Sequence, residues 1–301
     1  MTEWLISLEG TAQGARLAMV LALTSALAHA CFGAIQKGRH DPWVTRGAID
    51  LWIMIFAAPV ALIVVPWPQG MEWLVLAGAL VIHFAYKLTM ALAYSRAAYT
   101  VVYPVVRGTG PLVTLAFAAL FLGEHYALLQ WLGVGLLSGA ILMLAALNLR
   151  SAEAGQAALR QGLLWALAGG LLVAVYTTYD AWGIRLTPDP FTFLAWFFLI
   201  TSVDFPLLMV ARLRRADRWP RFDGPLMLRG MIGALVAFVS FGGVMLGTRL
   251  GKVGEVAALR ETSTLFAALI GWAVLHENTT PLRVALMGLI AFGAILVQAA
   301  G

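Results

Sequence analysis

Arg107-x-Thr109-x-x-Leu112 recurs as Arg260-x-Thr262-x-x-Leu265, a constant 153 residues further along, and each copy lies in an otherwise apolar stretch. A guanidinium presents a planar fork of N–H donors that matches a carboxylate, phosphate or phosphonate two bonds at a time. Two arginines related by a repeat are therefore candidates for a shared anion site. Further polar groups surround them at helical spacing. His83, Tyr86, Lys87, Met90 and Tyr94 fall at i, i+3, i+4, i+7 and i+11, so they line one helical face. Tyr103 precedes Arg107 by one turn, while Tyr176, Tyr179, Asp180 and Gly183 share another face.

The substrate-binding set read from these patterns is Arg107, Arg260, Lys87, His83, Tyr86, Tyr103, Tyr179 and Trp196. Aromatic walls are common in metabolite cavities, although tyrosines and a tryptophan such as Trp196 more often pack than bind. Asp180, Glu255 and Glu261 are the candidates for proton coupling, with His83 beside them. The same charges admit a structural reading. Arg107 and Arg260 can pair with Glu261, Glu255 or Asp180 and lock the helices, since losing one partner of a buried pair costs several kcal/mol. Glu124 and Glu277 close long apolar runs and read as helix-end anchors. Gly135-x-x-x-Gly139 reads as a close-packing motif, with a homodimer face as a second use.

The elements that must hold these groups are membrane spans. Of the 301 residues, 61% are hydrophobic and 12% charged, about half the charge of a soluble domain. A span needs about 20 apolar residues, and ten are readable: 17–36, 47–66, 73–95, 98–122, 128–149, 162–184, 191–211, 226–248, 254–275 and 280–299. A charge at the centre of such a span costs about 2.5–3.5 kcal/mol on insertion scales. Lys87, Arg107 and Arg260 each need a reason to be there.

The 153-residue offset also relates Leu122-x-Glu124 to Leu275-x-Glu277 and Gly135 to Gly288. The chain is read as two copies of one unit, residues 1–150 and 151–301, each with five spans. An odd number of spans makes the second copy cross in the opposite sense, the inverted-repeat architecture of secondary transporters. The expected fold is all-α, with ten transmembrane helices as two inverted five-helix repeats. Arginines concentrate in alternate connections, above all Arg212, Arg214, Arg215, Arg218 and Arg221. The positive-inside rule then places both termini outside.

Several classes are excluded or weakened. The basic residues behind the net charge of +5 sit mainly in short connections and are not interleaved with aromatics along a face, so no nucleic-acid partner is expected. Cys31 is the only cysteine, which rules out an intrachain disulfide or a cysteine metal site. Gly247-x-x-x-Gly251-Lys252 is one residue short of a phosphate loop and has no flanking strand. No cofactor, metal or catalytic constellation is expected. Residues 1–14 lack the features of a secretory signal, so no processing is expected. The Ala- and Leu-rich, Arg-over-Lys composition fits a multi-pass protein of a bacterial inner membrane.

Ala91-Leu92-Ala93-Tyr94 through Ala97-Ala98, Pro104, Pro111-Leu112, Phe121-Leu122-Gly123-Glu124, Gln130-Trp131-Leu132-Gly133 and Gly139 together resemble the EamA branch of the drug/metabolite transporter superfamily. The resemblance implies a ten-helix transporter with a cavity between spans one to four and six to nine. It also implies export of amino acids or other metabolites. Phe32-Gly33 departs from the first-span pattern, in which Trp is frequent. Lys87, Arg107 and Arg260 are not general to members handling neutral aromatic amino acids, which turns the expectation toward a zwitterion or an organic anion. The expected partners are this small molecule and the lipid bilayer. A lipid-linked headgroup is the alternative cargo, and a channel or membrane enzyme a more distant one.

Overall fold

A long apolar chain in lipid must satisfy its backbone internally, and helices do so. The structure, a computed structural model, describes residues 1–36, 41–97, 99–149, 156–215, 224–267, 269 and 280–300. These form α1 (Thr2–Ser7), α2 (Ala12–Gln36), α3 (Pro42–Pro59), α4 (Met71–Tyr94), α5 (Tyr99–Phe121), α6 (Leu128–Leu149) and α7 (Gln156–Leu186). There follow α8 (Pro190–Thr201), α9 (Asp204–Arg215), α10 (Gly224–Leu250), α11 (Val253–Arg260) and α12 (Pro281–Ala299). A π-turn at Val60–Val64 extends α3 beyond Pro59. The chain is an all-α integral membrane protein. Among the described residues, nine helical stretches are long and apolar enough to cross a bilayer, α8 and α9 counting as one stretch, Pro190–Arg215. Outward-facing side chains such as Ile63, Leu120 and Leu128 are apolar and exposed, as a lipid-facing surface requires.

Two spans differ from the continuous helices expected. The seventh breaks between Thr201 and Asp204. Pro206 explains the position, because it has no N–H for the Ser202 carbonyl four residues earlier and its ring clashes with that carbonyl. The ninth breaks after Arg260, where Glu261 and Thr262 form a turn before helix resumes at residue 263. Thr262 Oγ1 donates to the Leu259 carbonyl at 2.6 Å, a back-bond that competes with the regular ladder. The remainder of the expected ninth span lies outside the described residues, as do Glu277 and Arg218.

α2 packs chiefly on α10, and α7 on α4 and α5, while α6 lies between α5 and α12. The close approach of α6 is made by a glycine other than the two expected. A Cβ on Gly133 would lie 2.7 Å from the Gly293 carbonyl oxygen of α12, whereas one on Gly135 or Gly139 would meet nothing within 4 Å. Gly135-x-x-x-Gly139 therefore faces outward, and Gly133 is the packing residue.

α3 and α8 begin alike. Asp41 accepts from Trp43 N at 2.7 Å and Asp189 from Phe191 N at 3.1 Å, each followed by proline in the first turn. This Asp-Pro-aromatic cap sits at the start of the second span and of the seventh.

Candidate functional site

α5 carries Arg107 between Pro104 and Pro111. Pro111 has no N–H, so the Arg107 carbonyl lacks its usual helical donor. α11 is positioned from its N-terminus. Glu124 Oε2 accepts from Val253 N at 2.8 Å and the Tyr126 hydroxyl from Gly254 N at 2.9 Å, so groups from the α5–α6 connection cap the helix. Burial, with help from Glu124, pushes the Tyr126 phenol up, and it remains a donor to that carboxylate. Two turns later α11 delivers Arg260 to the interior.

There the two arginines differ. Arg107 Nη1 donates to Glu261 Oε1 at 3.0 Å, with both side chains almost fully buried. Its Nη2 is hydrogen-bonded to His29 Nε2. A guanidinium only donates, so His29 Nε2 accepts and the ring proton sits on Nδ1, 3.3 Å from Ser240 Oγ. Tyr103 completes this side, its ring stacked on His29 with centroids 6.3 Å apart and 5.3 Å from Arg107 Cζ.

Arg260 is 2% exposed and lies over the Phe241 ring at 4.9 Å. Its Nη1 reaches only the Tyr176 hydroxyl, at 3.5 Å, and Nε and Nη2 have no hydrogen-bond partner among the described residues. Glu261 Oε2 and Asp180 Oδ1 are likewise buried without one. His83 Nε2 lies 2.8 Å from Asp180 Oδ2 and donates to it. Tyr176 packs against both His83 and Tyr86, at 4.7 and 5.0 Å between centroids. Two cavities touch this cluster. One of about 30 Å³ includes His83, Tyr86, Lys87 and Phe241 in its wall, and one of about 10 Å³ lies against Thr114, Thr177, Arg260 and Glu261. Such spaces hold a water or two, so this conformation encloses the polar centre.

The structure thus brings Arg107, Arg260, His83, Tyr86, Tyr103, Asp180 and Glu261 together. Lys87 adjoins them in a network of its own, with Nζ 3.0 Å from Asp50 Oδ2, 2.6 Å from the Thr201 carbonyl and bonded to Asp204. Arg46 also pairs with Asp50, at 2.9 Å. Three nominated residues lie elsewhere. Trp196 packs between Trp67 and Trp73 at 4.8 and 5.0 Å. Tyr179 donates to the Val75 carbonyl at 3.1 Å, and Glu255 accepts from Gln130 at 2.7 Å. Sequence reasoning did not nominate His29, Ser240, Asp50 or Asp204. Each lay inside an apolar stretch read as a span, which was the available signal.

At the end of the bundle where α7 and α10 finish, Arg185 joins three elements. It donates to Glu124 Oε1 at 2.8 Å and to the Thr248 and Gly251 carbonyls at 2.9 Å each. Arg249 adds bonds to Glu9 and the Thr187 carbonyl, both at 2.6 Å. An ionic network therefore ties this end of the bundle, while the Lys87 network lies buried beside the arginine cluster.

The membrane-spanning helices thus surround an enclosed, polar, arginine-bearing centre. Residues 160–299 match the model of the EamA-like transporter family, so this stretch is similar to membrane transporters of the drug/metabolite transporter superfamily. A solved structure titled "Crystal structure of protein" superposes with a TM-score of 0.74 at 19% identity, covering 93% of this chain and 97% of that one. It shares the fold. No curated protein matches the chain.

Proposed function

We propose that the protein is a secondary transporter that moves a small organic anion or zwitterion, in the direction of export, by alternating access between two inverted repeats. Arg260 carries the reading. A buried guanidinium with two free N–H edges is costly unless something anionic completes it, and the substrate is that group. Arg107, already paired with Glu261, shapes the site from the other side. The Arg185 network ties one end of the bundle and the Lys87 network bridges α3, α4 and the break in the seventh span, contacts that alternating access releases and remakes. His83 and Asp180 form the proton-coupling pair, with Glu261 next to them. We place the protein in a bacterial inner membrane.

A lipid-linked headgroup is the second reading, and one observation favours it. An apolar crevice of about 550 Å³, lined among others by Leu21, Phe56, Val60 and Phe238, shares Phe198 with the polar cavity beside Lys87. A tail in the crevice and a head near Arg260 would fit that arrangement.

The test is counterflow in proteoliposomes with labelled amino acids, small carboxylates and phosphonates. Exchange of an anionic or zwitterionic compound that is abolished by Arg260→Ala in folded protein supports the proposal. Exchange of neutral compounds only, unchanged in Arg260→Ala, overturns it; exchange confined to lipid-linked compounds moves the reading to the second.

A further inference from the structure

We infer that Glu261 is the residue that sets the charge of the substrate, restricting the site to groups with a single negative charge and rejecting dianions. The inference rests on the reading of Arg260 as the anion ligand. Its basis is the unequal state of the two arginines. Arg107 is consumed by Glu261 at 3.0 Å and by His29, while Arg260 keeps Nε and Nη2 free. A site that the repeat equips with two guanidinium forks thus offers one.

The charges facing the centre support this. Arg107 and Arg260 are offset by Glu261 and by Asp180, and Asp180 is hydrogen-bonded to His83. His29 is held as an acceptor toward Arg107. The neighbouring network of Arg46, Lys87, Asp50 and Asp204 pairs two cations with two carboxylates. The centre therefore carries a net charge of zero, or of plus one when His83 is protonated. A monoanion at Arg260 leaves it one unit below neutrality, or neutral when His83 is protonated, whereas a dianion leaves it two units below, or one when His83 is protonated, a further uncompensated charge in a low-dielectric interior.

Glu261 also acts directly. Its Oε2 has no hydrogen-bond partner and its side chain lines the same cavity of about 10 Å³ as Arg260. A second anionic oxygen placed there meets a carboxylate, a repulsive element of the kind that specificity requires. The favoured ligand carries one anionic group with a neutral or donating neighbour, a carboxylate monoanion or a phosphonate monoester.

The experiment compares monomethyl succinate with succinate, which share a carbon skeleton and differ in charge. Each is titrated as a thermal stabiliser of the purified full-length protein and as a competitor of exchange. The wild type is expected to prefer the monoanion by about tenfold or more, because like charges juxtaposed in a site cost several kcal/mol. Glu261→Gln should erase or invert that ratio by freeing Arg107 as a second ligand. Glu261→Gln combined with Arg107→Gln should restore part of the preference, since a single cation again faces the anion and the net charge returns to that of the wild type. If Glu261→Gln does not fold, Glu261→Asp should keep the preference and the double variant carries the comparison. An equal response to both anions in the wild type, or a ratio unchanged in Glu261→Gln, overturns the inference while leaving Arg260 as the anion ligand. No response to any anion removes both readings.

Discussion

The ammonium of Lys87 lies 3.0 Å from the carboxylate of Asp50, with side chains only 5% and 0% exposed. The same nitrogen reaches the last carbonyl of α8 and Asp204 at the start of α9, so one side chain bridges α3, α4 and the break in the seventh span. A lysine at this depth is tolerable because two carboxylates and a helix C-terminus surround it.

Replacing Lys87 by Met should lower stability by about 3–5 kcal/mol, the range for removing one partner of a buried charge pair. Asp204→Asn in the same chain should recover part of the loss, because Arg46 still pairs with Asp50. Thermal unfolding in detergent of the two variants checks both statements. Equal stability of wild type and Lys87→Met would show that the network contributes nothing.

Opening at the end of the bundle that holds Glu124 should follow from Arg185→Ala, which releases Glu124, the cap of α11 and the Thr248 and Gly251 carbonyls together. Cys31 is the only native cysteine, so Thr177→Cys in a Cys31→Ser background reports on the cavity beside Arg260. Labelling by a membrane-impermeant thiol reagent from the Glu124 side should rise severalfold with Arg185→Ala. Lys87→Met should not raise it from that side. Labelling indifferent to Arg185 would mean that this network does not control access.

Gly133 and Gly135 make a paired control two residues apart. Gly133→Leu inserts a side chain where even a Cβ meets the Gly293 carbonyl oxygen at 2.7 Å, and overpacking of this kind costs about 1–3 kcal/mol or more. Gly135→Leu projects into open space and should change stability by no more than about 0.5 kcal/mol. Unfolding midpoints of the two variants decide the matter, and a crosslinking signal lost only in Gly135→Leu would reveal a dimer contact there.

The sequence made the spans legible because lipid imposes length and apolarity on every one of them. It also exposed the arginines, since charge inside a span is rare enough to stand out. The polar face of α4 was readable from spacing, yet spacing says nothing about which residue faces it from another helix. His29 and Glu261 lie 78 and 154 residues from Arg107, and only the mutual rotation of α2, α5 and α11 makes them its partners. Pro206 stood in the seventh span as a readable mark of its break, although that span was read as continuous. The break after Arg260 has no proline or glycine to mark it, and it is set by a threonine back-bond within the turn. Gly133 and Gly135 were indistinguishable by composition, because the neighbouring helix alone decides which one is packed.

The two repeat-related arginines should separate stability from transport. Arg107→Ala leaves Glu261 buried at 3% exposure without its cation and His29 without its donor. It should destabilise by about 3–5 kcal/mol. Arg260→Ala removes a cation that has no carboxylate bonded to it and whose Nε and Nη2 are unsatisfied in the wild type. Deleting such a group relieves a desolvation cost, offset by lost packing on Phe241, so stability should fall by less than about 1 kcal/mol or rise. Exchange should nonetheless be lost in Arg260→Ala, the trade between stability and activity expected where a strained charge is kept for function. Thermal unfolding and counterflow on the same preparations read both quantities. A large destabilisation in Arg260→Ala with normal exchange in the surviving protein would assign Arg260 to the scaffold and require another ligand for the substrate's anionic group.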